Sequence, residues 1–195
     1  MSRHQSPTRR QAADLLAELR VLGSEANRAG MARYGITVER AFGVSVHTLR
    51  TLARPKAMEW ARRDEPWVKR AGFALMAGLA VHDKAATDQA LMKLLPLIEQ
   101  AAGDDRNFVR KAVNWALCNV GKRNLALHNA AMACARRILV AADTRAGGLR
   151  SGDAGARSAR WVATDAIREL DAEKLHARLA GRRGRSAVNK MEPAR

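Results

Sequence analysis

The chain has 195 residues, 47% of them hydrophobic, and a formal net charge of +16 from 35 Lys and Arg against 19 Asp and Glu. That length and apolar content suit one domain with a real core and exclude general disorder. The charge selects no fold, but it favours a polyanionic partner (DNA, RNA or an anionic membrane surface) over an acid-loving or neutral one.

Cys118 and Cys134 are the only cysteines. One pair of thiols makes neither a disulfide framework nor a zinc site, which suits a reducing compartment. No secretory leader and no membrane span is expected, because charges at helical spacing interrupt every apolar stretch. These features predict a soluble, cytoplasmic protein without a metal or cofactor.

Residues 1–8 are polar. From Thr8 to about Arg28 the apolar positions Ala12, Leu15, Leu16, Leu19 and Leu22 recur at helical spacing, and Gly30 is expected to end that helix. Residues 31–36 read as a turn or a single helical turn. A second helix is expected after Gly43, with Ser45 as N-cap and Leu49 and Leu52 inward, and Pro55 should stop it at Arg54. A short helix from Lys56 to Arg63 follows. Asp64 is placed as the cap of the next helix, Trp67 to about His82, with Pro66 in its first turn. That helix is apolar nearly all round and should be central.

Thr87 is expected to cap a helix reaching Ala102 and kinked at Pro96. Asp105 is read as the cap of the helix that holds Asn107 to Gly121. An Ala-rich helix runs from Asn124 to about Ala141, and Thr144 to Gly155 form the longest loop. Ala156 to Leu170 is helical, and Asp171 caps a last short helix to about Ala180. Residues 181–195 read as a basic disordered tail behind a single domain, 1–180. Nothing alternates with period two, so the chain is all-α.

The helix after Asp105 has two faces. Phe108, Val109, Ala112, Val113, Ala116, Leu117 and Val120 form the expected core side. Arg110, Lys111, Asn114, Trp115, Cys118 and Lys122 form the other. A Trp among cations, turned from the core, suits a phosphate backbone and a flat base. It is equally compatible with a solvated basic face whose Trp packs on a neighbouring helix.

This helix also repeats an earlier one. Trp67-Val-Lys-Arg-Ala overlies Phe108-Val-Arg-Lys-Ala at an offset of 41 residues, from 67 to 108. The period lies in the range of HEAT and armadillo units. A weaker third copy surrounds Trp161, with Ala159, Val162, Ala163, Ala166 and Leu170 inward. Three helices presenting one face in series would line the concave side of a stack of α-hairpins. The candidate track is Trp67, Lys69, Arg70, Arg110, Lys111, Asn114, Trp115, Lys122, Arg123, Arg160 and Trp161. The alternative for Arg70 is an ion pair between helices, to a neighbour such as Asp83.

Several segments together resemble the DNA alkylation repair (AlkD-like) family. They are Arg-Tyr-Gly-Ile at 33–36, Gly-Val-Ser at 43–45, Trp67-Val-Lys-Arg-Ala-Gly-Phe-Ala-Leu-Met, Val81-His-Asp-Lys, Arg106-Asn-Phe-Val-Arg-Lys-Ala-Val-Asn-Trp-Ala-Leu, Gly121-Lys-Arg-Asn and Ala159-Arg-Trp-Val-Ala. The resemblance covers most of residues 30–175. It implies a right-handed superhelical solenoid of HEAT-like repeats, here shortened. It also implies duplex DNA, alkylated or not, as partner of a monomer, and metal-independent excision of cationic alkylated purines. Trp115 then corresponds to a Trp bordering the lesion-bearing strand, and Arg70 to an Arg that binds the backbone.

Two departures stand beside the likeness. The family's catalytic Asp sits in a Trp-Asp helix for which Leu52-Ala-Arg-Pro-Lys-Ala-Met-Glu-Trp leaves no room. Cys118 also stands where the family has an Arg. Asp64, Asp83, Asp105 and Asp165 read as caps or ion-pair residues, so no residue is assigned a catalytic role. A HEAT-type protein scaffold, with an exposed apolar groove, and an RNA or structured nucleic-acid binder are the competing readings. The five histidines show no metal spacing.

Overall fold

In this computed structural model the described residues are 13–14, 16–17, 20–32, 46–147 and 153–188, with the side chains at 30–32, 46–50, 146–147 and 182–188 excepted. Their regular structure is all α-helical. The chain divides into two units, residues 1–56 and 57–195. The expectations for 33–45, including the Arg-Tyr-Gly-Ile and Gly-Val-Ser segments and the Ser45 cap, lie outside the described residues.

In the first unit α1 spans Glu25–Ala32. The Ser24 hydroxyl accepts from the Asn27 N–H at 3.2 Å, and Glu25 pairs with Arg28 at 3.2 Å. The expected single helix to Arg28 is therefore corrected. The chain turns at Leu22 and restarts at Glu25, because Gly23-Ser24 supplies a break and a cap, and α1 then runs through Gly30.

Helix α2, Val46–Ala61, contains Pro55 and overturns the expected stop at Arg54. A proline inside a helix removes its own donor and crowds one carbonyl, but flanking turns can absorb that loss. The last turn of α2 lies in the second unit and packs on Gly72 of α3, Pro66–His82. A Cβ at Gly72 would stand 2.5 Å from the Ala61 nitrogen and 2.9 Å from the Ala57 oxygen. Only glycine allows two backbones that close.

The remaining helices are α4 (Asp88–Met92), α5 (Leu95–Ala101), α6 (Asn107–Gly121), α7 (Leu125–Gly147), α8 (Ala154–Leu170) and α9 (Glu173–Val188). The expected kinked helix is instead two helices, with Pro96 in the first turn of α5, where its missing N–H costs least. Thr87 does cap α4, accepting from the Ala90 N–H at 3.2 Å. Glu65 and Arg106 occupy the cap positions given to Asp64 and Asp105, without side-chain caps. Asn124 and Asp153 cap α7 and α8 by accepting from the Leu127 and Gly155 N–H groups. Asp171 closes α8 rather than opening α9. Helix α7 takes in Thr144, whose hydroxyl donates back to the Val140 carbonyl, and α9 continues past residue 181.

Within the second unit the helices form two layers. In the first layer α3 and α6 make the largest contact, and α6 continues onto α8. Arg106, before α6, donates to the Asp64 carbonyl before α3 at 2.5 Å, and Arg123, after α6, donates to the Ala80 carbonyl of α3 at 2.9 Å. The two helices therefore run parallel, in the register of the sequence repeat. In the second layer α4 and α5 run alongside α7, joined by Asn124 to Asp88 at 2.8 Å and Arg137 to Glu99 at 2.7 Å. Helices α7 and α8 form an antiparallel pair.

Phe73, Met76, Leu91, Leu94, Ile98, Val109, Val113, Leu117, Val120, Leu127, Val162 and Leu170 fill the space between the layers. Each such side chain contributes about 1.5–3 kcal/mol by leaving water. This stacked series of α-helical hairpins is the expected all-α solenoid. No described helix is long and apolar enough to cross a membrane.

Candidate nucleic-acid interface

The α3–α6 register brings repeat-equivalent residues into contact. The Trp67 and Phe108 rings lie 5.2 Å apart between centroids and are tilted by 32°. Both are exposed, at 58% and 55%. Phe108 is thus corrected from the core side to the surface: it lies at the edge of the apolar arc, against another ring on the neighbouring helix. One turn further, Arg70 and Lys111 occupy matching places on α3 and α6, both exposed. Neither makes an ion pair or hydrogen bond with the described residues, which removes the Arg70–Asp83 alternative. Trp115, a turn beyond Lys111, is 53% exposed. Rings and uncommitted cations therefore alternate along one surface.

The other candidates do different work. Lys69 is mostly buried and pairs with Asp104 at 3.4 Å. Asp104 also accepts from the backbone and side chain of Arg106, while its carbonyl accepts from the Ser158 hydroxyl at 2.6 Å. Burial alone would raise the Asp104 carboxyl; the Arg106 hydrogen bonds and charge, with Lys69, hold it below the usual carboxylate range. This acidic residue ties the starts of α3, α6 and α8 together. It sits in a polar loop, Gly103-Asp-Asp-Arg, whose sequence does not tell which carboxylate turns inward.

Arg110, Asn114 and Lys122 line the α6–α8 seam. The Arg110 guanidinium lies 4.7 Å over the Trp161 ring and donates to Asn107 at 3.3 Å. Asn114, expected on the outward face, is buried and donates to the Asp165 carboxylate at 2.6 Å. Cys118, also expected outward, is buried, with its thiol 3.6 Å from the Asn114 oxygen. Both corrections have one cause: α8 covers that flank of α6, and one helix's periodicity cannot show a neighbour. Burial, and then the adjoining Glu169, push the Cys118 thiol far up, so it is an inert packing group.

Lys122 pairs with Glu169, and Asp165 with Arg168. Burial would raise the Glu169 carboxyl, but bonds from Cys118 and Lys122 lower it. Arg123 donates to the Ala80, Lys84 and Ala86 carbonyls and so closes the end of α3. Arg160 is exposed and pairs with Asp143 at 2.7 Å. Thr164 and the 80%-exposed Arg168 extend the outward side of α8 beyond the expected set. Their spacing of three and seven from Trp161 is the signal that marks them. No group of three or more His, Cys, Asp and Glu is placed to hold a metal among the described residues.

Comparison with known proteins places this arrangement in a family. No curated protein and no solved structure matches the chain. The model of a family described as DNA alkylation repair enzyme matches residues 52–170, which takes in α3 to α8 and more than half of the sequence. The repeat, the paired rings and the cations that flank them all fall inside that match, and the chain belongs to the DNA alkylation repair enzyme family.

Proposed function

We propose that the protein binds duplex DNA, alkylated duplex included, on the outward face of α3, α6 and α8. The observation that carries this reading is the row Trp67, Phe108, Arg70, Lys111 and Trp115, in which exposed rings stand beside exposed cations that have no partner among the described residues. Exposed cations reach phosphates, and exposed rings stack on bases or pack against sugars. A protein-binding groove would be continuous and apolar; here the cations Arg70 and Lys111 separate the Trp67–Phe108 ring pair from Trp115.

Family activity, the excision of cationic alkylated purines, needs a carboxylate beside the sugar as the glycosidic bond stretches. Asp165 and Glu169 are carboxylates of α8 beside α6, and both are engaged, by Asn114 and Arg168 and by Lys122. No catalytic step is assigned to them. The test is mobility shift and base release on methylated and unmethylated duplexes. Retention of duplex that is lost in Arg70→Gln/Lys111→Gln is expected, without base release dependent on Asp165. Base release abolished by Asp165→Asn would make Asp165 the acting carboxylate. Duplex binding indifferent to the double substitution would overturn the proposed face.

A further inference from the structure

The outward row of α6 does not stop at Trp115. Asn119 continues it at a step of four, and with Lys122 at the end of the α6–α8 seam it forms the wall of a pocket of about 180 Å³. Its other lining residues are Ala80 and Val81 from α3, Lys84 and Arg123 from the loops behind α3 and α6, and Arg178 from α9. Four of the seven lining residues are cations and none is acidic; one of the four, Lys122, is paired with Glu169 of α8. The volume is several times what one water requires.

Helix ends of this kind normally carry negative charge. The pocket lies where the last carbonyls of α3 and α6 emerge, and such groups repel anions. Here the cations mask them. Lys84 Nζ donates to the Val81 carbonyl at 2.6 Å, Arg178 donates to the Lys122 carbonyl at 3.4 Å, and Arg123 covers three carbonyls around the end of α3. One cation per helix end would suffice as a cap. Four converge, and two of them, Lys84 and Arg178, are exposed and form no ion pair among the described residues. Capping therefore leaves positive charge in surplus, held in a concavity with an amide, Asn119, beside it.

We infer that this pocket binds a phosphate group, and that its carrier is the backbone of the same duplex engaged by the row. The carrier, though not the phosphate chemistry, rests on the proposed function. Lys111 and Lys122 are eleven residues apart on or at the end of one helix, roughly 16 Å. With 3.4 Å of duplex axis per nucleotide, a helix laid along that axis would set the seated phosphate about five base-pair steps from the one met by Lys111. The row and the pocket would then fix the direction of the strand across α6.

The test uses the full chain and the variants Lys84→Gln/Arg178→Gln and Arg70→Gln/Lys111→Gln. Duplex affinity is measured across a salt series, and the backbone amides of 119–123 are followed by NMR during titration with inorganic phosphate. Unchanged circular dichroism and melting would show that the exposed pocket cations are not needed for folding. The expected result for Lys84→Gln/Arg178→Gln is an affinity loss of about tenfold and a salt slope shallower by about 1, with loss of the amide shifts.

If phosphate shifts the wild-type amides and the pocket variant abolishes this without touching duplex affinity, the carrier is wrong and a free phosphate compound is the ligand. If Arg70→Gln/Lys111→Gln is silent while the pocket variant weakens duplex, the row fails and the pocket stands. No amide response to phosphate and no effect of the pocket variant on duplex would overturn the inference.

Discussion

Replacing Arg70 and Lys111 together by Gln removes two exposed charges that pair with none of the described residues. Each neutralised phosphate contributes about −0.9 to the slope of log K against log salt. If each residue meets one phosphate, the double variant should flatten that slope by about 1.8. Between 50 and 200 mM salt, the wild type's advantage should then shrink by about twelvefold. The control is Lys69→Met. Lys69 is a neighbour of Arg70 in sequence, but its side chain is 16% exposed and its ammonium faces Asp104. Its loss should lower stability by about 1–2 kcal/mol, by urea denaturation, and leave the salt slope intact. Fluorescence anisotropy of a labelled duplex at several salt concentrations reads both variants. Should Lys69→Met flatten the slope as strongly as the double variant, exposure would not be what separates binding from structural cations here.

Trp115→Ala should weaken duplex binding by roughly 1–3 kcal/mol with no change in salt slope, in the same anisotropy series, since a ring contributes stacking and releases no counterions. Gly72→Ala should destabilise the fold by about 1–3 kcal/mol from overpacking, outweighing the gain of about 1 kcal/mol in helix propensity; a raised melting temperature would show that α2 and α3 do not approach so closely. His128, buried and with its ring 5.1 Å from that of His176, has its pKa lowered by burial and then by the charge of His176. The unfolded chain therefore binds more protons in the window below the ordinary histidine value of about 6.5, so stability should fall as pH drops through it. Melting at pH 8 and pH 5.5 should show a larger acid loss in wild type than in His128→Phe.

The repeat was legible because it lives in residue types. Aromatic, β-branched, two cations and alanine recur, and the structure lays the second copy beside the first in that register. The inward arc of α8 was legible for a similar reason: its alanines, Val162 and Leu170 leave no other apolar stripe. What a helical wheel cannot show is which flank a neighbour covers. Asn114 and Cys118 vanish beneath α8, while Phe108 emerges because the adjoining helix offers a ring and not a lid. Charge has the same ambiguity. Lys69 and Arg70 are adjacent letters of equal sign, yet a half-buried Asp104, placed by a loop, claims one and leaves the other. Pro55 and Pro96 show the limit of local rules: one is carried inside a helix and the other opens one.

Because like residues of α3 and α6 meet in register, the seam between them is compatible with its own duplication. A copied hairpin spliced in after Arg123 would find the same partners on its leading edge and offer the same ones on its trailing edge. Each added unit would advance the array by one interhelical spacing, about 8–10 Å, or roughly three nucleotide steps. On the proposed function, the span of strand that such a molecule would grip is thus a number of hairpins, open to lengthening by cut and paste.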